Sequence, residues 1–138
     1  PDWLANYSPA RYRPMERLLA SKDVEFLRST DGWTPELEDA FRAGRRRLYR
    51  RYLRLISRDF GRLHMAARTL ALLSPVDRPD LGMALVREQF AFSKALAAAH
   101  LRLAFHAFGY EAGDARNVLR ALESMNSRVR ALTVQSAA

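Results

Sequence analysis

The chain contains no cysteine. Disulfides, thiolate zinc sites, cysteine-ligated iron–sulfur clusters and a cysteine nucleophile are therefore excluded. Strand signals are nearly as scarce: there is no Val/Ile/Thr-rich alternating run and no Asn-Gly hairpin turn. No apolar stretch reaches the roughly 18 residues that a membrane span requires. The most apolar run, 95–108, is interrupted by His100, Arg102 and His106. Lysine is confined to Lys22 and Lys94, so almost all positive charge is guanidinium, which grips planar anions bidentately where an ammonium does not.

Catalytic patterns are missing as well. No Gly-x-Ser-x-Gly, phosphate-binding loop or dinucleotide fingerprint occurs. Asp59-Phe60-Gly61 spells a kinase magnesium-binding tripeptide, but it lies inside a helical pattern, with neither the glycine-rich loop nor the His-Arg-Asp loop a kinase needs. Pairing of Asp59 with Arg62, one turn on, is the expectation instead, and Gly61 is expected to permit a close helix approach or a kink. His100 and His106 point about 120° apart on a helix, and no Glu-x-x-His occurs. Neither a metal nor a cofactor is expected, and the chain does not read as an enzyme.

Helix punctuation, by contrast, is abundant. Ser8-Pro9 and Arg13-Pro14 place proline where a first helical turn tolerates it, predicting a short helix over 14–20 with Met15, Leu18 and Leu19 inward. Asp23 is a candidate cap for a second short helix over 24–29, which Asp31-Gly32 ends. Thr34-Pro35-Glu36 is a strong start signal, with acids at the positive end of the helix dipole, and the next stop is Ser74-Pro75. That predicts a rod of about 40 residues, or ~60 Å at 1.5 Å per residue, bending near Gly44 or Gly61. A second long helix is predicted over 79–108, ended by Gly109. A last one, capped by Gly113-Asp114, runs over 115–133, with Val118, Leu122, Met125, Val129 and Leu132 spaced as a bundle or coiled-coil seam.

These signals predict an all-α, elongated antiparallel bundle in one domain: a cap of short helices in residues 1–33 and main helices over 34–74, 79–108 and 114–133. The last helix leaves self-association open.

The charge is concentrated. Between Arg42 and Arg62 stand nine arginines and one acid, Asp59, a surplus equal to the whole net charge of +8. Arg47, Arg51, Arg54, Arg58 and Arg62 share one helix face, flanked by Arg46 and Arg50, while Arg45 falls towards the apolar side. The apolar side is expected to comprise Phe41, Leu48, Tyr52, Leu55, Leu63, Leu70 and Leu73. These seven arginines are the candidate partner-binding residues, and three uses compete. They form a solvated face, they meet an anionic surface (lipid headgroups or, with less support, nucleic acid), or they meet an acidic protein.

Glu88 lies in line with the apolar residues of the second long helix and needs a partner, expected to be an arginine of the preceding helix. A ligand or catalytic site near Glu88, His100 and His106 is the remaining alternative. Trp3, Tyr7 and Tyr12, interleaved with Arg11, Arg13 and Arg17, read either as a cap on the bundle end or as a cytoplasmic membrane boundary.

The run from Tyr7 to Leu19, followed by Asp23, Phe26 and Leu27, together with 57–60 and 77–81, resembles uncharacterised bacterial proteins that carry one N-terminal membrane span. That resemblance implies a helical, non-catalytic interaction or scaffold domain on the cytoplasmic side, tethered to the inner membrane by a segment upstream of Pro1. Its arginine stripe would then face lipid or a membrane partner.

Overall fold

A computed structural model describes residues 2–74, 79–108 and 116–137. Its elements, in chain order, are a one-turn helix α1 (Asp2–Ala5), a 3-10 helix (Pro9–Arg17), α2 (Lys22–Arg28), and three main helices, α3 (Pro35–Leu73), α4 (Pro79–Ala107) and α5 (Arg116–Ala137). The expected elongated all-α bundle is what forms. The 39 residues of α3 make one uninterrupted helix of about 58 Å.

The starts follow their signals. Thr34 Oγ1 accepts from the Leu37 amide at 3.1 Å with Pro35 at the first position, and Ser8 Oγ accepts from the Ala10 amide at 3.3 Å. Gly32 takes a positive φ of 85°, the turn geometry that only glycine adopts without strain. Two local expectations change. The segment around Pro14 is 3-10 and begins at Pro9, because Ser8 caps it. Asp23 does not cap α2; its carboxylate goes to Arg45 instead. The stops at Gly109, the cap at Gly113-Asp114 and the 75–78 linker lie outside the described residues.

The three main helices pack pairwise. Phe60 stacks on Phe92 with ring centroids 3.8 Å apart, and His64 and Arg68 share a groove with Gly82 and Leu85, so α3 and α4 are antiparallel. Glu88 bonding to Arg128, and Leu81 grooved with Ser127 and Gln135, make α4 and α5 antiparallel too. Both α3 and α5 bury a seam at alternating spacings of three and four. On α3 it is Tyr49, Leu53, Ile56, Phe60, Leu63 and Ala67; on α5 it is Val118, Leu122, Met125 and Val129.

The α5 seam is thus consumed inside the protomer, where Leu122, Met125 and Val129 are fully buried. Self-association through that seam, left open by the sequence, is not retained.

The N-terminal segment is a packed cap. Leu4, Tyr7, Tyr12, Met15 and Leu19 are buried in the same core. Tyr12 meets Tyr52 edge-on at 6.1 Å, and Arg130 donates to the carbonyl of Tyr7 at 2.9 Å. The aromatics expected at a membrane boundary are therefore engaged with protein: Tyr7 and Tyr12 are buried and Trp3 is half-buried.

Candidate polyanion-binding face

The arginines of α3 divide by what holds them. Arg45, which broke the sequence pattern, is an internal staple. Its guanidinium donates to the carbonyl of Leu18 at 2.5 Å, to that of Arg17 at 2.7 Å, and to Asp23 at 2.5 Å. Arg42 joins Arg28 on Glu38: Arg28 binds both carboxylate oxygens at 2.7 and 2.8 Å, Arg42 reaches one at 3.1 Å, and the Trp33 indole donates to the other at 3.1 Å. These donors, Arg28 foremost, hold the Glu38 carboxyl down to about 2.

Asp59 does not pair with Arg62. It is buried in the α3 seam, and its Oδ2 accepts from Tyr12 Oη and from Arg11. A carboxylate in this position needs hydrogen-bond donors, and the cap supplies two to this one oxygen from 47 and 48 residues away, which no local spacing shows. Arg62 instead lies over the Trp3 ring at 4.3 Å. Gly44 and Gly61 neither interrupt the helix nor admit a close neighbour; a Cβ at either position would meet nothing within 4 Å.

The seven candidate residues fall where the stripe places them. Arg47, Arg50, Arg51, Arg54, Arg58 and Arg62 are exposed and Arg46 is half-buried. From Arg47 to Arg62 the ribbon is about 22 Å long. Arg58 approaches Asp59 Oδ1 only at 3.9 Å. Among the described residues no acid lies within ion-pairing distance of Arg47, Arg50, Arg51 or Arg54, and Asp23, Glu38 and Asp59 are held by Arg45, by Arg28 and Arg42, and by Arg11. Those three acids are engaged by other arginines, and the outer four have no acidic partner among the described residues.

The alternative constellation does not assemble. Glu88 pairs across to Arg128 of α5 at 2.5 Å rather than to α3. His100 is exposed, and His106 is buried some 27 Å along α4 from Glu88. His106 stays below its ordinary basicity, first through burial and then through Arg46, Arg42 and Arg45. Among the described residues no group of three or more His, Asp or Glu side chains is placed to hold a metal.

No family model, curated protein or solved structure matches the chain. The resemblance to membrane-tethered bacterial proteins accordingly has no support. Among the described residues no helix is long and apolar enough to cross a membrane. The tether, the inner-membrane location and the lipid partner rested on that resemblance and on the aromatic N-terminal edge, which packs as a cap; none is retained.

Proposed function

We propose that this chain is a non-catalytic binding module whose α3 ribbon engages an extended polyanion, a run of phosphates or carboxylates on a partner macromolecule. One observation carries the reading: Arg47, Arg50, Arg51 and Arg54 are exposed and have no acidic partner among the described residues, while Asp23, Glu38 and Asp59 are committed to other arginines. A ribbon left unneutralised on a rigid helix is preorganised for a linear array of negative charge, and guanidinium suits both carboxylate and phosphate. The internal ion pairs support the same division of labour, since they fix the cap and leave the ribbon outside.

The test is a titration against a labelled single-stranded oligonucleotide and a labelled poly-glutamate peptide over a salt series. Binding at low salt should fall steeply as salt rises. Changing Arg47, Arg50, Arg51 and Arg54 together to glutamine should remove it while the helical signal persists. Absence of binding to both probes, or binding indifferent to the four changes, would reject the proposal. The steeper salt slope and tighter affinity identify which anion class the ribbon prefers.

A further inference from the structure

Where α1, α3 and the end of α5 meet, the surface is open. A groove of about 670 Å³ lies there, walled by Trp3, Leu4, Met65, Ala66 and Leu70, within the ~300–1,000 Å³ range usual for small-molecule sites. Its lining on α3 runs from Arg58 to Leu70, about 18 Å. The surface is mainly apolar, yet Arg58 and Arg62, both exposed, stand at the N-terminal end of that stretch.

Gly61 lines the same groove. Gly61 is exposed, and a Cβ there would meet nothing within 4 Å. What the missing side chain does leave is an open groove floor beside the two arginines.

We infer that this groove binds an elongated amphipathic anion, an unbranched alkyl chain ending in one carboxylate. The chain lies along Met65, Ala66 and Leu70, and the carboxylate meets Arg58 and Arg62. Both guanidiniums have donors to give. Among the described residues Arg58 has only the 3.9 Å approach to Asp59, whose other oxygen the cap already holds, and Arg62 sits over the Trp3 ring, a contact that leaves its N–H groups free for an anion. Arg58 and Arg62 belong also to the ribbon, but Arg47, Arg50, Arg51 and Arg54 do not line the groove, so the two readings fail separately.

Trp3 provides the readout. The chain has two tryptophans, so Trp33→Phe leaves Trp3 as sole reporter in the wall. Dodecanoate, kept below its micellar range, should shift Trp3 emission saturably, whereas dodecyltrimethylammonium should not. Arg58→Gln with Arg62→Gln should weaken dodecanoate roughly tenfold and leave dodecanol binding unchanged. Gly61→Phe fills the floor in a position with room for it and should abolish both, with helical content and oligonucleotide titration intact. No saturable response to dodecanoate, equal binding of the cationic amphiphile, or dodecanoate binding that survives Gly61→Phe would each overturn the inference. Loss of ribbon binding in the Arg47/Arg50/Arg51/Arg54 variant with dodecanoate binding unchanged would separate this site from the polyanion face.

Discussion

The Tyr12 hydroxyl donates to the Asp59 carboxylate and so ties the N-terminal 3-10 helix to the middle of α3. Arg11 binds the same carboxylate oxygen and also donates to the Tyr12 oxygen at 2.8 Å. Burial, and then the hydrogen bond to Asp59, push the Tyr12 phenol up to about 12, so it stays a donor at any physiological pH. Asp59→Ala strands that buried hydroxyl and should cost about 1–3 kcal/mol. Tyr12→Phe should cost less, on the order of 1 kcal/mol, because Arg11 still serves the carboxylate. Thermal unfolding followed by circular dichroism gives the order; equal stability of wild type and Asp59→Ala would refute the tie.

Arg45 and Arg47 are two residues apart and opposite in role. Arg45 is mostly buried and satisfies two backbone carbonyls and Asp23. Its replacement by alanine leaves those acceptors short and should cost about 1–3 kcal/mol. Arg47→Ala removes an exposed side chain and should change stability by no more than about 0.5 kcal/mol, while weakening polyanion binding. Chemical denaturation of both variants checks this, and a destabilised Arg47→Ala would place that residue in the fold rather than in the ribbon.

The two faces of α3 were not equally legible in the sequence. The arginine face stands where the wheel puts it, since six charged side chains leave few arrangements open. The buried face does so only in part. Of the residues expected inward, Leu63 belongs to the seam of Tyr49, Leu53, Ile56, Phe60, Leu63 and Ala67, and Tyr52, Leu55 and Leu70 pack half-buried beside it, but the expected set as a whole is centred roughly 80° around the helix from that seam. Leu48 is 43% exposed and Leu73 is 73% exposed. The apolar arc of α3 is wide because the cap uses its shoulder, as Tyr12 on Tyr52 shows, and a wheel alone cannot tell shoulder from centre. The direction opposite the arginines does give the seam. The pairings of Asp59, Arg45 and Glu88 were illegible for another reason: each crosses 22 or more residues, and local spacing carries no record of it.

Glu38 sets an acid limit on the junction between the cap and α3. Its carboxyl is held at about 2 when folded, against an ordinary 4.5, first by the Arg28 hydrogen bond and then by Trp33 and Arg42. A lowered folded value means the unfolded chain takes up the proton more readily. The contribution is therefore complete above about 4.5 and is lost as pH falls towards about 2. Trp33 emission should report the loss over that window, and Glu38→Gln should flatten the titration. A Trp33 signal with the same acid transition in Glu38→Gln would assign the transition elsewhere.

His106 works nearer to neutrality. Its side chain is buried on α4, its Nδ1 has no hydrogen-bond partner among the described residues, and Arg46, Arg42 and Arg45 of α3 all oppose a proton on it. Burial comes first among the causes, and together they lower the folded value from the ordinary 6.5. For a base held neutral by the fold, the unfolded state binds more protons once the pH drops below 6.5. Stability is then fully present above 6.5 and declines as the pH moves down through the folded value. His106→Leu removes the titrating group and leaves no stranded nitrogen, so its stability should be near wild type above neutral pH and exceed it in mild acid. Urea unfolding in a pH series reads the difference, and parallel curves for wild type and His106→Leu below 6.5 would show that His106 takes no part in the acid response.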